Sequence, residues 1–364
     1  RTSAVFRSEA LATGGGALKV TVTNTVNGVK STVASFVGGP TDTFTLKAAG
    51  AGKVTLTRTR GTTTTTVGTG NGVQVNWEGT RYAGTLGAVG NNGVGVAGVA
   101  SATALNVATS TAGLSTAGLS TSGHRYRYGY LLVGSTTASP STFEVVNALR
   151  LGDEYLLGIG EVPSSWPAAA LQAQVLAARS YALVKNKTLR AACLCNVDDG
   201  GGPYYDQTFV GWSKESGASG AAWRAAVNST LHTTTSGTAS TTKGDAILYN
   251  GAVIQAFYYA SSGGRTQSSQ EVWVATLPYL QSVSDPYSLR SNVPYSSWAP
   301  RERTQAQVAS AFGLKDVVRI DLSARTAGGG VRTAVAYSSA GASASLTGES
   351  LRTKLSLPAT WVWR

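Results

Sequence analysis

The chain has 364 residues, of which 13% are charged, yet 30 Lys and Arg face only 18 Asp and Glu, giving a net charge of +12. That excess attracts polyanions or merely keeps the protein soluble. The basic residues are scattered singly, without the Lys/Arg-rich block of a nucleic-acid patch, so nucleic acid is not the expected partner and an anionic cell envelope fits as well. No apolar run approaches a membrane span. Thr, Ser, Ala, Val and 44 glycines outweigh the helix formers, which predicts a β-rich α+β protein. The opening Arg1-Thr2-Ser3, with no Met in the chain, reads as a secreted protein after signal removal.

In chain order, Leu18–Thr23, Phe44–Lys47 and Val54–Thr57 alternate as strands, and Asn27-Gly28 marks a hairpin turn. Residues 61–123 lose this clarity. They hold the threonine run Thr62–Thr66 and the repeat TAGLSTAGLSTSG, either glycine-rich β structure on the domain or a surface for self-assembly. The texture changes near residue 125, so the expected domains are a β-rich 1–124 and a second part, 125–364. Tyr128–Val133 and Phe143–Leu149 read as strands.

The most specific segment is GIGEVPSSWP, Gly158–Pro167, running into AAALQAQVLAARSYALVKNK. Ser165 is the expected N-cap, and Pro167 sits in the first turn. Leu171, Val175, Ala178 and Ala182 fall on one helical face. Glu161 stands among Ile159, Gly160, Val162 and Pro163, where desolvation is expected to suit a general acid. The competing reading is that its charge favours the positive end of the helix. Further helix is expected at Gly220–Thr230, and strands at Ala246–Tyr249, Val253–Tyr259, Val317–Leu322 and Arg332–Ala336.

No Ser-His-acid arrangement is available: His124 and His232 sit in Ser/Thr-rich settings without a motif. A disulfide across the single residue between Cys193 and Cys195 would be strained, two thiols alone make an incomplete metal site, and the state of the pair stays open. Phe257–Thr266 ends a strand in small hydroxyls, two glycines and Arg265. With Tyr258, Tyr259 and Trp273, it combines close backbone approach, hydrogen-bond donors and aromatic faces. That combination suits sugar rings; a structural hairpin end is the alternative.

Together these segments resemble the SpoIID/LytB family of bacterial cell-wall proteins. Val146–Gly158, Glu161, Trp166, Gln174 and Ala177–Tyr181 match its first block. Ser261–Thr266, Glu271–Trp273, Pro278–Leu280 and Asp285 match its second, and Leu346–Arg352 its ending. The resemblance implies a lytic transglycosylase acting on peptidoglycan glycan strands, or a non-catalytic enhancer of a cell-wall amidase. It implies Glu161 as the single acid/base, with Arg179, Tyr259, Ser261, Ser262, Gly263, Arg265 and Trp273 positioning sugar. No cofactor is expected. Some relatives bind zinc near this Cys. Here Cys195 aligns with their first Cys, Asp206 stands where the second would be, and no His is near, so no metal is expected. Asp198, Asp199 and Asp206 match no calcium loop.

Overall fold

The computed structural model describes residues 3–7, 18–39, 41–77, 99–100, 104–108, 113–115, 124–136, 139–200, 204–236, 239–273, 275–297 and 299–362. Most of the 84–123 segment and its repeat lies outside them. The chain forms two compact units, Arg1–Ala256 and Phe257–Arg364.

The first unit strings together β1 (Ser3–Arg7), β2 (Leu18–Val26), β3 (Val29–Gly38), β4 (Asp42–Gly50), β5 (Lys53–Arg60), β6 (Thr63–Gly70) and β7 (Gly72–Trp77). After them come β8 (Val99–Ala100), β9 (Ala104–Ala108), β10 (Gly113–Ser115), β11 (His124–Arg125), β12 (Tyr130–Thr136), β13 (Ser139–Arg150) and β14 (Val197–Asp198). They build a seven-stranded sheet, β14-β9-β13-β12-β7-β2-β3, and a six-stranded one, β11-β10-β1-β4-β5-β6. The change of texture near residue 125 is therefore not where the compact units part. β12 pairs with β7 across it, Leu131 opposite Val75, and joins early and late strands in one sheet.

Period-two alternation explains the packing. Val20 and Val22, Phe44 and Leu46, Val54 and Leu56, Val73 and Val75, Leu131 and Val133, and Phe143 and Val145 all point inward and share one core. Each such side chain contributes about 1.5–3 kcal/mol when fully buried. Thr55, Thr57 and Thr59 take the outward positions of β5. The threonine run becomes strand β6, pairing Thr59 with Thr64 and Thr57 with Thr66. Asn27 and Gly28 have φ of 51° and 79°, and Val26 pairs with Val29, giving the two-residue hairpin expected there.

A π-helical turn, Leu151–Tyr155, leads from β13 toward α1 (Ala168–Lys185). The helix begins one residue after Pro167, which occupies the cap position. No side chain caps it, so Ser165 does not serve as the N-cap. Leu171, Val175, Ala178 and Ala182 are buried on one face. After the short α2 (Ser213–Ser216), α3 (Gly220–Ser229) packs against α1 and buries Trp223 completely. A three-stranded sheet joins β15 (Leu231–Ser236), β16 (Ala239–Gly244) and β8. The hairpin β17 (Leu248–Tyr249) and β18 (Ala252–Val253) is shorter than the sequence implied, because pairing ends at Val253.

The second unit holds α4 (Ser269–Val272), α5 (Gln305–Phe312), an antiparallel sheet of β19 (Arg319–Arg325), β20 (Val331–Tyr337) and β21 (Ser343–Thr347), and α6 (Gly348–Lys354). Phe312, Ala334, Ala336, Leu351 and Leu355 form its core. Capping boxes at Ser268/Glu271 and Thr304/Gln307 start α4 and α5. Among the described residues no helix is long and apolar enough to cross a membrane.

Candidate functional site

Glu161 follows a turn fastened to residues 208–210 by backbone hydrogen bonds. The Gly160 N–H donates to Thr208 O at 2.8 Å, and the Val210 N–H to Gly158 O at 2.8 Å. The two glycines are needed for this approach. A Cβ at Gly158 would stand 2.3 Å from the Phe209 ring, and one at Gly160 would press on Val210 at 3.1 Å. The Thr208 N–H donates to Glu161 Oε1 at 2.6 Å. Oε2 has no protein partner among the described residues. Glu161 is exposed. The desolvation expected from its apolar neighbours is thus absent, because Ile159 turns into the core while Glu161 turns out.

Beyond Glu161, the Val162 carbonyl accepts a hydrogen bond from Lys214 Nζ. Lys214 is buried, and its ammonium lies 4.6 Å from the centre of the Trp223 ring. Burial holds its pKa below the usual lysine value. Trp223 in turn donates Nε1–H to Leu156 O at 2.8 Å, at the other end of the turn. Lys214 and the Thr208 amide hold the Glu161 turn and were not singled out by sequence reading. A backbone N–H leaves no residue-type signature, and a lone Lys in GWSKES reads as surface.

Arg179, expected to position sugar, is fully buried in the first unit. Nη1 donates to Asp245 O at 2.6 Å, Nη2 to Gly152 O at 3.1 Å and to Thr230 Oγ1 at 3.0 Å, and Nε to Gly152 O at 3.2 Å. Gly244 makes room, since a Cβ there would lie 2.6 Å from Arg179 Nε. Desolvation pushes the guanidinium pKa down to about 10, still cationic near neutral pH. Arg179 therefore ties α1 to the turn after β13 and to the residues after α3.

The loop between α1 and Thr208 is an ionic and hydrogen-bonded lattice. Asp206 accepts from Tyr181 Oη at 2.7 Å, from the Asp198 N–H at 3.0 Å and from Arg190 Nη2. Burial and the Asp206 carboxylate push the Tyr181 phenol pKa well up. Cys193 and Cys195, whose state the sequence left open, are joined in a disulfide with Cα atoms 5.1 Å apart. Leu194 between them takes a left-handed backbone, φ 53°, and brings the two together. With Cys195 so bonded and Asp206 committed to Arg190, these residues offer no ligand set for zinc.

The other predicted sugar contacts belong to the second unit. Tyr259 and Trp273 are exposed, and Trp273 lies 4.5 Å from the Phe257 ring. Ser262 is buried and donates to Asp285 Oδ2 at 2.7 Å, while Gly264 N–H donates to Ser288 Oγ at 2.8 Å. Ser262 thus braces the Gly263–Gly264 turn, whose φ values are 68° and 101°. Ser261 Oγ is buried without a partner among the described residues. Arg265 Nε donates to Ser282 Oγ at 2.8 Å.

Residues 139–235 match the sequence profile of SpoIID, described as Stage II sporulation protein, so this stretch of the chain is similar to that family. The matched stretch contains Glu161, Arg179, Thr208 and Lys214. Among relatives, Stage II sporulation protein D of Bacillus subtilis (strain 168) is 29% identical over 226 residues, covering 58% of this chain and 60% of that protein. Its counterpart in Bacillus amyloliquefaciens is 29% identical over 220 residues. An amidase enhancer of Bacillus subtilis (strain 168) is 34% identical over 125 residues, 34% of this chain. The chain thus spans 60% of the length of the two sporulation proteins and 14% of the amidase enhancer.

Proposed function

We propose that this protein is a peptidoglycan lytic transglycosylase that works at the cell wall with Glu161 as its single acid/base. The observation that carries this is the state of the Glu161 carboxylate. It is exposed, one oxygen is fixed by the Thr208 N–H, and the other is free of protein partners among the described residues. A carboxyl so held can protonate the bridging oxygen of a β-1,4 link between N-acetylmuramic acid and N-acetylglucosamine. The C1–O bond breaks, and the resulting carboxylate takes the proton of the muramic 6-hydroxyl as O6 bonds to C1. A 1,6-anhydro end forms without water. One group serves both steps, unlike the two-carboxylate arrangement of most glycosidases. Tyr259, Ser261, Gly263, Arg265 and Trp273 are the proposed sugar contacts of the second unit, with Ser262 supporting them from beneath. The charge of +12 favours an anionic wall.

The test is digestion of purified sacculi, and of glycans stripped of stem peptides, followed by mass spectrometry. Anhydro-muropeptides from the natural chain, and none from Glu161→Gln at unchanged thermal stability, support the reading. Their absence from both substrates would falsify it. The likeness to an amidase enhancer favours a second reading, a glycan-binding module that stimulates a separate amidase without cleaving. Tight sedimentation with sacculi, unchanged muropeptides and a faster added amidase would mark that outcome.

A further inference from the structure

Resting on the reading of this unit as glycan-directed, we propose that Tyr205 is an aromatic stacking platform for a sugar ring of the strand that Glu161 engages. Tyr205 is 78% exposed, and its ring makes no hydrogen bond or ring contact with another described side chain. Exposed tyrosines are common and by themselves mean little. The backbone beneath this one is the unusual part. Tyr205 has φ 48°, a left-handed conformation that side-chain-bearing residues avoid and that persists only where the surroundings enforce it.

The enforcement is on both sides of the residue. Asp198 Oδ2 accepts the Tyr204 N–H at 2.8 Å, and its Oδ1 accepts the Asp206 N–H at 3.0 Å. Arg190 stacks 3.9 Å over the Tyr204 ring while its Nη2 donates to the Asp206 carboxylate. Two aspartates with buried carboxylates and an arginine thus lock the peptide groups around Tyr205, and among the described residues no side chain bonds to or stacks on the ring they hold out. Three residues further on, the Thr208 N–H grips Glu161. Virtual bonds of 3.8 Å keep the Tyr205 Cα within about 11 Å of the Thr208 Cα.

A pyranose offers an apolar C–H face to such a ring and keeps its hydroxyls in water. A platform whose backbone is already fixed loses little freedom when the sugar docks. The chemical class is a hexosamine glycan, and the role is binding, not proton transfer.

The measurement is equilibrium co-sedimentation of the full chain with purified sacculi, in an E161Q background so that the glycan is not consumed. E161Q/Y205A is expected to bind roughly tenfold more weakly, with E161Q/Y205F and E161Q/Y205W recovering the lost affinity. E161Q/Y205G removes the ring while suiting the left-handed backbone. It should bind as weakly as the alanine variant, and it decides the matter if that variant misfolds. Binding by the glycine variant equal to E161Q, binding by the phenylalanine variant as weak as alanine, or no binding by E161Q at all overturns the platform. Cleavage by the Glu161 chain is scored separately from its products. An inactive chain whose binding still depends on Tyr205 keeps the platform and loses the transglycosylase, and an active chain indifferent to Tyr205 does the reverse.

Discussion

Glu161 and Arg179 come from one sequence block, and the fold treats them in opposite ways. Glu161 stays in solvent with a single backbone donor on one oxygen. Arg179 is sealed in the core with its guanidinium spent on Gly152 and Asp245 carbonyls and the Thr230 hydroxyl. A buried charge is tolerated only when its hydrogen bonds are met, and four of the five Arg179 N–H donors are committed inside the protein. An exposed charge with an unused acceptor is the one that can act on a substrate. Shared membership of a motif therefore does not imply a shared role.

The sharpest way to break this contrast is to remove each charge in turn. Glu161→Gln should cost at least a hundredfold in glycan cleavage, the range of a lost general acid, while leaving the thermal midpoint within a degree or two. Arg179→Met should act on stability instead. It leaves the Gly152 and Asp245 carbonyls and the Thr230 hydroxyl short of a donor, and each buried polar group left unsatisfied costs about 1–3 kcal/mol. Denaturant midpoints read this directly, and any activity should track the folded fraction. A folded Arg179→Met chain with weakened glycan affinity would return Arg179 to the sugar site.

Much of this was legible in the sequence, for identifiable reasons. Alternating Val, Leu and Phe made β2, β4 and β5 readable, since burial on one face demands that period. Leu171 to Ala182 made α1 readable in the same way, although the cap was misplaced because Pro167 occupies that position without any side-chain bond. The position of Glu161 was readable and its environment was not. Apolar neighbours in sequence do not bury a residue at a turn where successive side chains point to opposite sides. Arg179 shows the same limit from the other side: its expected role came from the resemblance of its block, and only the Gly244 and Gly152 backbones reveal the socket that encloses it. The Cys193–Cys195 pairing depends on the left-handed Leu194, which no composition rule announces.

Lys214 lies between the two extremes and gives a smaller effect. It is buried like Arg179, yet its donor serves the carbonyl next to Glu161. Lys214→Met keeps the stem over Trp223 and removes the donor, so an unpaired Val162 carbonyl should cost about 1–3 kcal/mol. Because that carbonyl belongs to the Glu161 turn, turnover per folded molecule should fall as well. A loss of stability with full turnover would make Lys214 a purely structural residue like Arg179.

The mildest test uses acid. Asp42 is buried and accepts from Arg60 Nε at 2.8 Å, Arg58 Nε at 2.9 Å and the Gly39 N–H at 3.0 Å. The Arg60 guanidinium, with Arg58 and the Gly39 amide, holds its carboxyl far below the usual range despite burial. A depressed folded pKa means that this stabilisation is present above the unfolded value of about 3.9 and is lost as pH falls below it. Arg179 is different, because its direct acceptors are carbonyls and a hydroxyl that do not titrate. Asp42→Asn should therefore flatten the fall of unfolding free energy between about pH 4 and pH 2, where the natural carboxyl takes up a proton in the unfolded chain while staying ionised in the folded one. Arg179→Met should lower the whole curve and leave that slope nearly as it was. Equal flattening in both variants would mean that the Arg179 socket is held by titrating carboxylates, against the carbonyl contacts that distinguish it from an ion pair.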